Sequence, residues 1–89
     1  MAHEELQTAS DELRAAAEAA SGDLQSRLYD QSNQLADLAA AERGPDHGRL
    51  ARHMNALTEI AEETDGEVKE RVESAYDHVK EYRSGVSGV

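Results

Sequence analysis

Apolar residues recur along this chain at helical spacing in four blocks, each closed by a short polar break. Leu6, Leu13, Ala17 and Ala20 share one helical face and predict a first helix over residues 4–20. Leu24, Leu28, Gln31, Leu35 and Leu38 follow a 4-3-4-3 rhythm and predict a second over 24–42. Leu50, Met54, Leu57, Ile60 and Ala61 mark a third over 47–63, and Val68, Val72, Ala75, Val79 and Tyr82 a fourth over 67–83. The breaks carry stop and start signals. Gly22 and Gly44 suit the left-handed position after a helix, and Pro45 cannot continue one. Asp23 and Asp46 are candidate N-caps, and Thr64 with Glu67 has capping-box spacing.

The blocks repeat. At an offset of 44 residues, His3 falls on His47, Leu6 on Leu50, Leu13 on Leu57, Gly22 on Gly66 and Arg27 on Arg71. The glycines and arginines carry no apolar pattern, so shared helicity does not explain their match. The expected architecture is therefore all-α: one domain over residues 1–89, an antiparallel up-down-up-down four-helix bundle of two related αα-hairpins. Hairpin 1 would span residues 3–43, hairpin 2 residues 46–84, with a frayed tail over 85–89. The competing arrangement is a long helical hairpin that dimerises.

Charge changes the picture. The chain has 19 Asp and Glu against 9 Lys and Arg, a formal charge of -10, with two lysines and no Cys, Phe or Trp. Without cysteine there is no disulfide and no thiolate metal site. Acid excess, scarce lysine and an Ala-rich core suit a halophilic cytoplasm. Molar salt shortens the Debye length to about 3 Å and removes the self-repulsion. No apolar stretch is long enough to span a bilayer, and no signal segment opens the sequence.

One segment runs against the acidity. Residues 43–53, RGPDHGRLARH, hold three arginines, two histidines and one acid at the start of the third helix. Arg43, His47, Arg49, Arg52 and His53 form a candidate patch for an anion or an acidic partner; helix N-termini already favour anions. The competing reading is that these arginines only balance neighbouring acids. Gln31 interrupts the second helix's seam and His53 falls within the apolar arc of the third, so Gln31, His53 and Tyr76 are a candidate buried polar cluster. A single polar seam residue can fix register.

Other chemistry finds little support. No Glu-x-x-His pair marks a di-metal bundle, and Glu70, Glu73 and Asp77 read as a solvated face rather than a metal site. Ser and Thr fall at caps or on polar faces, with no Ser/His/Asp order. No glycine-rich phosphate loop occurs. The expectation is a protein that is not an enzyme and uses no cofactor. Nucleic-acid binding is disfavoured by three arginines on an otherwise repelling surface without stacking aromatics.

The run ADLAAAERGPDHGRLARHMNAL resembles a family of small, acidic, uncharacterised haloarchaeal helical proteins. That resemblance supports the halophilic, cytoplasmic expectation and brings no assigned activity. The expected role is a non-enzymatic protein-interaction module. The alternatives are a small-anion or nucleotide-binding module using the same patch, and a DNA-associated regulator. The protein partner is unnamed by the sequence; a homodimer through Tyr29, Tyr76 and Val86 is a further expectation.

Overall fold

The computed structural model describes residues 3–41 and 47–85. Four helices follow in order: α1 (Glu4–Glu18), α2 (Gly22–Ala40), α3 (His47–Glu62) and α4 (Gly66–Ser84). Among the described residues there is no strand. Each predicted helix is present, and no bound differs by more than two residues. Arg43, Gly44, Pro45 and Asp46, and the tail residue Val86, lie outside the described residues.

The leucine and valine faces meet in one core. Leu6, Leu13, Leu28, Leu35, Leu50, Leu57, Val72 and Val79 are all fully buried. These form four pairs of repeat-related positions: Leu6 with Leu50, Leu13 with Leu57, Leu28 with Val72, and Leu35 with Val79. Gly22 and Gly66, also related by the repeat, both open their helices at φ 63, a left-handed conformation that costs L-residues about 1–2 kcal/mol. Two capping expectations fail. The residues flanking α2 and α4 are Ser21 and Asp65, both extended, and neither makes a side-chain cap hydrogen bond. The positive φ of the glycine that follows takes the chain into the helix, so Asp23 and the Thr64–Glu67 box do not cap.

The helices form an open ring in the order α2, α1, α4, α3: close packing joins α1 to α2, α1 to α4, and α3 to α4. The reason for the unequal seams lies in residues that differ between the repeats. Between α1 and α2, Ser10 and Ser32 are buried and exchange hydrogen bonds. Ser10 Oγ donates to the Ser32 carbonyl at 2.7 Å, and Ser32 Oγ donates to the Ser10 carbonyl at 2.9 Å. This clasp satisfies both hydroxyls and lets the backbones approach closely. It corrects the expectation that serines keep to caps and polar faces. Gln25 Nε2 completes the hairpin by donating to the Ala17 and Ala20 carbonyls at 2.8 and 3.0 Å; the first also accepts the Ala20 N–H at 3.1 Å, and the second is a free acceptor just past the end of α1. In hairpin 2 the positions equivalent to Ser10 and Ser32 are Met54 and Tyr76. These bulkier side chains are half-buried against the core, and Tyr76 lines a groove of about 300 Å³ between α3 and α4.

Candidate functional site

Each seam between the hairpins has a repeat-related pair of residues at its centre, and the two pairs differ. Where α1 meets α4, Ala9 and Ala75 are both fully buried, and two small side chains let the helices close. At the repeat-related positions where α3 faces α2 stand His53 and Gln31. His53 Nδ1 lies 2.8 Å from Gln31 Oε1. An amide oxygen only accepts, so the ring carries its proton on Nδ1. His53 is 5 % exposed. Burial pushes its pKa below the ordinary 6.5, and the positive charges of Arg49 and Arg52 add to the effect. The imidazole is therefore neutral near pH 7 and acts as a spacer rather than a charge.

That spacer holds open a cleft of about 290 Å³ lined by Gln31, Gln34, Arg49, Arg52 and His53. Further along the same seam, Arg27 on α2 reaches Glu63 with a forked pair at 2.7 and 3.2 Å. The guanidinium beside it holds the Glu63 carboxyl below its usual range. The sister arginine, Arg71, likewise bridges the hairpins, bonding Glu12 at 2.7 Å, and lowers the Glu12 pKa. Both repeat arginines thus serve the bundle, while Arg49 and Arg52 border the cleft. Arg52 is exposed and makes no hydrogen bond or ion pair among the described residues. Arg49 already interacts with a neighbour inside the chain.

The remaining predicted residues separate. His47 accepts a hydrogen bond from Arg83 Nε at 3.2 Å on the α4 side of α3. Tyr76 stands away from the Gln31–His53 pair, lining the α3–α4 groove with Leu57 and Ala61. Arg43 lies outside the described residues. Sequence reasoning missed Gln34 and Arg83. The signal for Arg83 was its place in the last turn of α4, which antiparallel packing sets beside the first turn of α3. Gln34 sits one turn after Gln31, and that spacing puts it on the same edge of α2.

The arrangement sets two guanidinium groups, two amides and a neutral imidazole around one cleft, a donor set suited to an oxygen-rich anion. Among the described residues no group of three or more His, Asp or Glu converges to hold a metal ion. No helix in the described residues is long and apolar enough to cross a membrane.

A family model described as a family of unknown function, DUF7553, matches residues 1–85. The chain belongs to the DUF7553 family. No curated protein and no solved structure matches it. The family assignment agrees with the expected kinship to uncharacterised proteins and assigns no activity to any residue. The four-helix architecture described above is thus the physical basis from which a DUF7553 role has to be argued.

Proposed function

We propose that this protein is a non-enzymatic protein-interaction module of a halophilic cytoplasm, and that its α2–α3 cleft takes acidic side chains of a partner. The observation that carries this reading is the seam opened by His53 and Gln31. It sets Arg52, unpaired among the described residues, beside Arg49 at the mouth of a cleft in a protein of charge -10. An arginine fork suits a carboxylate in two-point geometry.

The cleft's size favours side chains over a whole small molecule. At about 290 Å³ it sits at the lower edge of the roughly 300–1,000 Å³ that enclose drug-sized ligands. A small anion or nucleotide is the second reading, favoured by the convergence of Gln31 and Gln34 amides on the two arginines.

The test is a tagged pull-down from lysate of the source organism in about 3 M KCl, which screens loose ionic contacts. Wild type is compared with Arg49→Glu/Arg52→Glu and with Arg14→Glu, a control on α1. A defined protein retained by wild type and the control, and lost from the double variant, supports the module. Capture unaffected by the double variant refutes it. Binding of phosphate or ATP to the purified protein, abolished by the same variant, would favour the second reading. The halophilic part has its own check: a melting temperature that rises between about 0.1 and 3 M KCl, as screening of self-repulsion requires. An unchanged value refutes it.

A further inference from the structure

The Gln31–His53 pair leaves one ring nitrogen unused. His53 Nδ1–H donates to Gln31 Oε1 at 2.8 Å, so Nε2 carries a lone pair and no proton. Among the described residues Nε2 has no hydrogen-bond partner. No side-chain nitrogen or oxygen among them is both sealed from solvent and unpartnered, so Nε2 reaches an opening. The ring is 5 % exposed, and the opening it lines is the α2–α3 cleft, shared with Gln31, Gln34, Arg49 and Arg52. A buried imidazole thus turns an acceptor towards a cleft bordered by two guanidinium groups.

That lone pair is at odds with the ligand the arginines suit. A carboxylate or another bare oxyanion held in the cleft sets its oxygens against Nε2, acceptor against acceptor. A proton on Nε2 removes the conflict. It turns the nitrogen into a donor and adds a positive charge beside the anion. It also leaves the bond to Gln31 intact, because both nitrogens of an imidazolium donate. In the free protein that proton is held weakly. Burial disfavours it, and so do the charges of Arg49 and Arg52. Both arginines stand on α3. From α2 the uncharged amides of Gln31 and Gln34 face the same cleft. No charged group of α1 or α4 among the described residues adds to the effect.

We propose that the α2–α3 cleft takes its anion together with a proton, which settles on His53 Nε2, so that binding tightens as pH falls. The inference rests on the reading of the cleft as a site for acidic side chains and adds its regulation. The sign follows from linkage. An anion at the arginines offsets their charge and faces the ring, so it favours the imidazolium. An opposite charge within about 4–6 Å does so by a factor of about 10 or more. The gain in affinity is full below the pKa of the free protein. It is lost as pH rises through the higher pKa of the complex. A partner's ordinary carboxylate stays ionised over the same range. The cleft therefore grips acidic side chains in mildly acid medium and releases them in mildly alkaline medium.

The test uses sulfate as the probe. It stays fully ionised between about pH 6 and 8, the range in which histidine titrates, so any proton taken up lands on the protein. Its dissociation constant is measured by NMR titration for wild type, His53→Gln and Arg52→Glu. Wild type is expected to bind about tenfold more tightly at about pH 6 than at about pH 8. His53→Gln keeps a donor for Gln31 and offers no site for the proton, so its affinity should not change with pH. On wild type alone, sulfate should move the titration of the His53 ring signals to higher pH. His3, His47 and His78, none of which lines the cleft, serve as internal references. Equal affinity at both pH values, equal gains in wild type and His53→Gln, or a His53 titration that sulfate leaves in place overturns the proposal. Sulfate bound without pH dependence and lost in Arg52→Glu refutes the proton coupling and leaves the acidic-partner reading standing. Sulfate that does not bind, or that binds Arg52→Glu as it binds wild type, overturns the proposal and the anion site beneath it.

Discussion

Removing the Gln31 amide tests whether one hydrogen bond holds the α2–α3 seam apart. In Gln31→Ala the His53 Nδ1–H, 2.8 Å from its acceptor in the native protein, is left without a partner in a side chain 5 % exposed. An unsatisfied buried donor costs about 1–3 kcal/mol. A domain of this size is worth about 4–13 kcal/mol in total, at roughly 0.05–0.15 kcal/mol per residue. With a urea m-value of about 1 kcal/mol per M, the midpoint should fall by about 1–3 M. His53→Ala removes the donor but also the ring's packing. The double variant reproduces the Ala–Ala pair of the sister seam, Ala9 with Ala75, which packs fully buried. It should therefore be less destabilised than the sum of the singles by about 1 kcal/mol, the net worth of a neutral hydrogen bond. Urea unfolding followed by circular dichroism on all four proteins gives the coupling directly. Additive losses, with coupling below about 0.3 kcal/mol, would refute the claim that this pair spaces the seam.

Two further outcomes follow from the same geometry. Because the folded His53 pKa lies below 6.5, the unfolded chain takes up that proton first as pH falls. The stability is then complete above about 6.5 and declines as pH drops through it towards the folded value. Urea midpoints at pH 7.5 and 5.5 should differ more for wild type than for His53→Ala, and equal differences would contradict the assignment. Ser32→Val deletes one arm of the serine clasp and forces a branched side chain between α1 and α2, at a cost of about 1–3 kcal/mol. The melting temperature should fall by about 4–8 °C for each kcal/mol; a value matching wild type would show that the serines do not set that spacing.

The sequence was informative where one physical cause acts alone. Leu6, Leu28, Leu50 and Val72 announce the core because burial demands apolar side chains at helical spacing, and all four are fully buried. The repeat announced the paired glycines, because a left-handed turn excludes nearly everything else. Ser10 and Ser32 were illegible for the opposite reason. A serine is polar by type, and only a partner 22 residues away makes its burial affordable. Gln31 and His53 were each marked as odd, and the structure joins them; Tyr76 was marked with them but lines the groove between α3 and α4 instead. The basic patch was visible as a run of residues. That it borders a cleft was not, because the cleft depends on an unequal pair of seams that no single helix encodes.

The contact between the first and last turns of the described chain has a separate consequence. His3 and Tyr82 stack edge-on with ring centroids 5.7 Å apart, and Glu5 bonds His78 at 2.6 Å. The start of α1 therefore adjoins the end of α4, while α2 and α3 are the neighbours in sequence that pack least. Covalent continuity and spatial adjacency are thus out of step by one hairpin. A circular permutant in the order α3, α4, α1, α2, linked from α4 to α1, would place every covalent connection beside a close helix–helix seam. The helix packing itself sets no requirement that hairpin 1 precede hairpin 2.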